Sequence, residues 1–309
     1  MWQTTFVLLQ MIVHGILVFL RNITMRANIQ AGRIFLIGIS HRSDWLQTTL
    51  FFNFCCERFK LICIWPISMV TILTLSIGHD FCKALQDCLQ SKRLYAGRHG
   101  YTYTEGGETY WDRNRPIPWS KVPFVLSELS KLPDGALLWL SDADVLITNP
   151  ALSIEEHILP YFPATKDMLM TVDSCGHLNS GNLFMRNSLW LRDFWRRVGE
   201  QTDLLYHIWW ENAAIIKLLE QNPMDLKHVE ITSDHTRFNS YLQGLPGKKL
   251  WCPSDFLVHF AGVYDLERIQ TLVGAIRLGK IPRLSLKDTR KISYISINER
   301  ESQSCACKF

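Results

Sequence analysis

The apolar run Ala136-Leu137-Leu138-Trp139-Leu140 is unbroken and ends in Ser141-Asp142-Ala143-Asp144, after which apolar character resumes at Val145. Such a run, stopped by polar residues, predicts a strand buried on both faces. Upstream, the apolar stretch 61–77 is interrupted by Pro66, and its β-branched second half predicts a first strand over 70–75 rather than a membrane span. A helix is predicted over 81–98, ending at Gly100, and then a short strand over 101–103. Residues 110–120 read as loop. A helix over 121–129 follows, with Val122, Leu126 and Leu129 on one side, and Pro133-Asp134-Gly135 is a turn signal.

Further along, strands are predicted over 168–172 and 181–185. Arg186-Asn187-Ser188 then caps a helix whose Leu191, Phe194, Trp195 and Val198 recur at helical spacing. Residues 206–219 read as a mostly buried helix interrupted by Glu211 and Asn212, polar groups that need partners there. An apolar run from Phe256 closes in His259-Phe260-Ala261-Gly262. Residues 31–60 show no pattern, and from about Leu284 the chain turns polar and is expected to fray. This alternation of strands and helices predicts an α/β domain, a mostly parallel sheet covered by helices on both faces.

Composition narrows the function. The 309 residues are 47% hydrophobic and 20% charged, with a formal net charge of +4. No Lys/Arg cluster interleaved with aromatics stands out, so no nucleic-acid partner is expected. The nine cysteines include no Cys-x-x-Cys pair, which argues against a structural zinc site. Residues 6–20 form a candidate membrane anchor or signal segment. It is short of the roughly 20 residues a span needs, and it contains Gln10, His14 and Gly15. Arg21 and Arg26 follow it and no basic residue precedes it, the reverse of an anchor whose N-terminus is cytoplasmic.

Asp142 and Asp144 carry the candidate chemistry. Carboxylates at the end of a buried strand are costly unless paired or bound to a cation. In open α/β sheets, ligands bind at the carboxyl ends of strands. The pair therefore suggests a divalent metal carrying a phosphate-rich ligand; the alternative is a solvated turn with an ion pair.

Six blocks recur together: Lys92-Arg93-Leu94-Tyr95-Ala96 with His99-Gly100-Tyr101; Trp119-Ser120-Lys121; Leu140-Ser141-Asp142-Ala143-Asp144; Asn179-Ser180-Gly181 with Arg186-Asn187-Ser188; Trp210-Glu211-Asn212-Ala213; and His259-Phe260-Ala261-Gly262. In this order and spacing they resemble glycosyltransferase family 34, which includes fungal α-galactosyl- and α-mannosyltransferases and plant xyloglucan xylosyltransferases.

The resemblance implies a GT-A (Rossmann-like) fold, a nucleotide-sugar donor, a divalent cation (usually Mn2+) and retention of anomeric configuration. The resemblance covers roughly Val70 to Val263; the catalytic domain is expected over 66–285, between an N-terminal extension (1–65) and a polar tail (286–309). Asp142 and Asp144 match the family's DxD motif, and His259 matches its metal-binding histidine. Asn179, Ser180 and Gly181 match the segment lining the donor sugar. Glu211 and Asn212 match an acid–amide pair with a catalytic role; the family usually has Gln where this chain has Asn212. Lys121 and Arg186 are candidates for neutralising donor charge, and Asp173 is either a sugar contact or a turn cap.

Galactose from UDP is the first expectation, with GDP-mannose and UDP-xylose as alternatives, and the acceptor is a glycan or glycoprotein. The family's habit is a Golgi type II membrane protein; a cytoplasmic enzyme is the alternative. Two other readings stay open: a metal-dependent phosphohydrolase, and a sugar-binding or assembly protein with impaired catalysis, the departure at Asn212 being the point in its favour.

Overall fold

The computed structural model describes residues 25–30, 33–38, 70–286 and 292–295. The chain divides into two units, Met1–Trp65 and Pro66–Phe309. In the first, β1 (Met25–Gln30) and β2 (Arg33–Gly38) pair antiparallel, with Gln30 opposite Arg33. The strand β2 lies where no pattern was predicted. The anchor candidate at 6–20 lies outside the described residues, among which no helix is long and apolar enough to cross a membrane.

The second unit is built on a six-stranded sheet, with helices labelled in chain order. β3 (Val70–Leu75) leads into α1 (His79–Ala84) and α2 (Gln86–His99), then β4 (Thr102–Gly106), α3 (Lys121–Lys131) and β5 (Leu137–Ser141). After the Asp-Ala-Asp turn come β6 (Val145–Ile147), α4 (Ile154–His157), β7 (Met168–Val172), β8 (Leu178–Arg186) and α5 (Leu189–Gly199). Then follow α6 (Trp210–Gln221), α7 (Pro223–Leu226), β9 (Val229–Thr232), β10 (Ser240–Tyr241), β11 (Leu257–His259), α8 (Leu266–Arg277), β12 (Ile281–Leu284) and β13 (Ile292–Ile295).

The large sheet has the order β4-β3-β5-β8-β7-β9, and only β8 runs against the others. The unbroken apolar run of β5 is explained by its two faces. Leu138 and Leu140 pack with residues of α3, α5 and α6. Leu137 and Trp139 pack on the other side with Tyr95 of α2 and Ile154 of α4. A third apolar cluster lies around β6 and β11 and is covered by α1, α2 and α8.

Several expectations change. The single helix over 81–98 is two, because Leu85 leaves helical geometry (φ −97°, ψ 11°) and is fully buried in the third cluster. Its end holds: Gly100 takes the left-handed conformation at φ 71°, which a residue without Cβ adopts freely. The strand over 181–185 begins at Leu178, so Asn179 and Ser180 belong to β8 and not to a loop. The helix over 206–219 starts only at Trp210, and Tyr206 and Ile208 are exposed. The frayed tail is also revised, since Ile292–Ile295 pairs antiparallel with Ile281–Leu284.

Candidate functional site

The site forms where β5 ends. Three elements meet there through strand pairing. β8 lies beside β5, with Asn182 opposite Ser141, and the amide of Asp142 donates to the Gly181 carbonyl at 2.8 Å. β11 pairs antiparallel with β6, with His259 opposite Val145. The imidazole is thereby carried beside the Asp turn, although more than a hundred residues separate them. Asp142, Asp144 and His259 each offer a ligand atom, all within 4.8 Å of one another.

The turn is held from behind by Lys92. This residue of α2 has no exposed surface. Its Nζ donates to the carbonyls of Asp142 (2.6 Å), Ala143 (3.3 Å) and Val145 (3.0 Å). Burial pushes the ammonium down to about 8, with nearby Cys88, Asp144 and Asp142 opposing. The three carbonyls take all its hydrogens, which is what a buried ammonium requires.

Lys121, at the start of α3, enters the site itself. Its Nζ lies 2.7 Å from Asp142 Oδ1 and 2.6 Å from Glu211 Oε1. Burial works against its charge, but Asp142 and Glu211 outweigh it and raise the ammonium well above its ordinary value. Glu211, in the first turn of α6, is 3% exposed. Burial lifts its carboxyl above the usual range despite Lys121. Ser180 Oγ also reaches Glu211 Oε1 at 3.5 Å. Trp210, which precedes it, sits at φ 42°, in the left-handed region rarely used by bulky residues. Such strain clusters at functional sites. At Asp144, burial would raise the carboxyl, but His259, Lys92 and Lys121 hold it below the usual range.

Gly181 is required by space. A Cβ there would lie 2.2 Å from His259 Cε1, 2.9 Å from Asn179 Oδ1 and 3.0 Å from Asp142 Oδ2. Asn212 donates through Nδ2 to the Leu178 carbonyl at 3.0 Å, while its buried Oδ1 has no partner among the described residues. Buried polar atoms without partners are rare and ask for a reason.

The structure thus gathers Lys121, Asp142, Asp144, Ser180, Gly181, Glu211 and His259, with Asn179 and Asn212 bonded at the rim. Arg186 is not among them. Its guanidinium stacks 3.9 Å over Phe162 and donates to the carbonyls of Phe162, Pro163 and Lys166. It ties a loop to the end of β8 and neutralises nothing at the site. Asp173 is the turn cap: its Oδ1 accepts from the amides of Cys175 (2.8 Å) and His177 (2.9 Å).

Sequence reasoning missed Asn182, Asn239 and Tyr241. Asn182 carries a legible signal, a polar residue inside the apolar run of β8. Asn239 and Tyr241 carry none, because their partners are distant in sequence. The Tyr241 hydroxyl is buried without a partner among the described residues, and its ring lies 5.6 Å from that of His259. Burial raises this phenol well above its ordinary value, with Asp173, Asp142 and Asp144 adding to the effect.

Parts of the chain are similar to known proteins. Residues 67–163 match the model of the galactosyl transferase GMA12/MNN10 family. An uncharacterized alpha-1,2-galactosyltransferase of Schizosaccharomyces pombe is 26% identical over 226 residues, 59% of this chain and 57% of that protein. The probable alpha-1,6-mannosyltransferase MNN10 of Saccharomyces cerevisiae is 28% identical over 170 residues, 46% of this chain and 39% of that one. The chain thus spans little more than half the length, or less, of these curated relatives. Among solved structures, a glycosyltransferase involved in glycosylation of the major capsid of PBCV-1 superposes with a TM-score of 0.51 at 15% identity. The match covers 66% of this chain and 98% of that one, and it shows the GT-A fold. The Asp-Ala-Asp turn falls inside the matched span, and over residues 67–163 the chain is similar to the galactosyl transferase GMA12/MNN10 family.

Proposed function

We propose that this protein is a metal-dependent, retaining glycosyltransferase that moves a hexose, galactose first, from a nucleotide-sugar donor to a glycan or glycoprotein. The observation that carries the reading is the convergence of Asp142, Asp144 and His259 beside Lys121 and Glu211. Two carboxylates and one imidazole suit Mn2+, which accepts both oxygen and nitrogen ligands. Asp142, Asp144 and His259 each offer one ligand atom within 4.8 Å of the others, a separation that a single cation bridges. Such a cation, when bound, stabilises the charge that develops on a departing diphosphate.

The chain's own residues divide the remaining work. Lys121 holds Asp142 and Glu211 in place and adds positive charge near the leaving group. Glu211 is covered by Lys121 and Ser180, so it is poorly placed to form a covalent bond to sugar. It orients Lys121 and the sugar hydroxyls, and the acceptor attacks from the face the leaving group departs from. The bare Oδ1 of Asn212 is placed to accept a sugar hydroxyl or face developing positive charge. Relatives named as galactosyltransferases favour galactose over the mannose that the name of MNN10 gives. Association with a membrane through residues 6–20 belongs to the same reading and is motivated by their apolar sequence.

The test is turnover of UDP-galactose, UDP-glucose, UDP-xylose and GDP-mannose with and without Mn2+, comparing the parent with Asp144→Ala. Mn2+-dependent turnover of one donor, lost in Asp144→Ala, is expected. Absence of binding to all four donors, with or without metal, overturns the reading. A sugar adduct trapped on Glu211 overturns the same-face mechanism alone.

A further inference from the structure

Behind the site runs an unbroken line of buried side chains. Trp139 Nε1 donates to Asn182 Oδ1 at 3.0 Å. An indole N–H is a donor only, so the oxygen of Asn182 must face it. The Nδ2 of Asn182 is then the atom 3.0 Å from Asn239 Oδ1. At the other end, the Gly181 amide donates to Asn179 Oδ1 at 2.9 Å. A backbone N–H is likewise a donor only, so the oxygen of Asn179 is fixed, and it accepts from Asn239 Nδ2 at 2.9 Å. Two obligate donors, one at each end, therefore settle which way Asn239 points. Its nitrogen faces Asn179, and its oxygen faces both Asn182 and His259. Asn amide orientation is ordinarily ambiguous; here both ends agree.

His259 Nδ1 lies 2.8 Å from Asn239 Oδ1, an atom that can only accept. The hydrogen of the neutral ring must then sit on Nδ1. Its Nε2 lies 3.4 Å from Asp144 Oδ1 and 3.9 Å from Asp142 Oδ2. Without Asn239, those carboxylates would draw the hydrogen to Nε2, where it would stand in the way of a cation. Trp139, Asn182 and Asn239 have no exposed surface, so water does not supply a substitute partner.

We infer that Trp139, Asn182 and Asn239 form a positioning chain that holds His259 with hydrogen on Nδ1 and a bare Nε2 turned to Asp142 and Asp144. The inference rests on the metal-site reading for its purpose, and on the hydrogen bonds for its content. Outer partners of metal-binding histidines fix ring orientation and tautomer in this way, and their loss typically costs about 10–100-fold in metal affinity.

The test starts from metal-free full chain with 15N-labelled histidine, observed by long-range 1H–15N correlation as the pH is raised until the His259 ring carries a single hydrogen. The His259 ring is identified by its loss in His259→Gln. Hydrogen on Nδ1 is expected, and hydrogen on Nε2 overturns the inference with no need of any further variant. Asn239→Leu is expected to shift the hydrogen to Nε2 and weaken Mn2+ binding by about 10–100-fold. Mn2+ binding that weakens in Asn239→Leu while the hydrogen stays on Nδ1 overturns the inference, since a merely structural amide would move the affinity and not the tautomer. If the parent binds Mn2+ no better than Asp144→Ala, the metal reading fails, and the tautomer still decides this one.

Discussion

Lys121 Nζ lies 2.6 Å from Glu211 Oε1, and this contact joins the start of α3 to the first turn of α6 across the site. Both groups are largely buried, and Lys121 is the cation that offsets Glu211. Removing one member of a buried pair leaves the other uncompensated and costs about 3–5 kcal/mol. Lys121→Met is therefore expected to lose stability of that order in urea unfolding. Glu211→Gln leaves Lys121 still paired with Asp142 and is expected to lose less. A Lys121→Met loss below ~1 kcal/mol would mean that Glu211 finds solvent or another cation.

Gly181 is the tightest position of the site. A Cβ 2.2 Å from His259 Cε1 meets a ring held on its far side by Asn239, so the neighbour has little room to yield. Gly181→Ala is expected to turn His259 away and weaken Mn2+ binding at least tenfold, as read by calorimetric titration. An unchanged affinity would show that the ring is not held where the hydrogen bonds place it.

Lys92 supports the Asp turn without reaching the metal-facing side. Lys92→Met keeps the length of the side chain but orphans the carbonyls of Ala143 and Val145 and leaves that of Asp142 with only the Val145 amide at 3.3 Å. Unsatisfied buried carbonyls cost about 1–3 kcal/mol each. A loss of roughly 3 kcal/mol in urea unfolding is expected, together with weaker Mn2+ binding. A fully stable variant would mean that the turn rearranges to satisfy these groups itself.

The legible parts of this molecule are those whose cause is local. β5 shows in the sequence because burial on two faces demands an unbroken apolar run, and its end shows because the Asp pair stops that run. The cap of α5 shows because Ser188 accepts from the Leu191 amide three residues on. The start of α6 was misplaced because Tyr206, Ile208 and Trp209 look like core, yet remain exposed. Arg186 was considered for donor charge because a cation near a predicted site draws attention. What decides its place is three carbonyls between Phe162 and Lys166 that no pattern reveals. Asn239 was invisible for the same reason: a buried amide takes its meaning from the donors that surround it, and those come from β8 and β11.

Asp225 gives a pH-dependent test of the fold away from the site. Its carboxylate accepts two bonds from Arg197, Nη1 to Oδ2 and Nη2 to Oδ1, each at 2.8 Å, and one from Trp190 Nε1 at 2.8 Å. Asn222 Nδ2 adds a fourth at 3.0 Å, so α5 and α7 are joined through one side chain. Burial alone would raise this carboxyl, but Arg197, Trp190 and Asn222 outweigh it and hold it below its ordinary value. A carboxyl lowered on folding contributes stability that is fully present above its unfolded pKa, about 3.9. That contribution is lost as the pH falls through the folded value. Asp225→Asn leaves Arg197, among the described residues, with only the exposed Asp193 as ionic partner and is expected to cost about 3 kcal/mol at pH 7. The gap between parent and variant is expected to hold down to about pH 5 and to close at lower pH, as the parent's own carboxyl takes up a proton. Urea midpoints measured from pH 7 to pH 3 read this directly. A gap that stays constant across the series would mean that the bonding geometry of Asp225, and not its charge, holds α5 and α7 together.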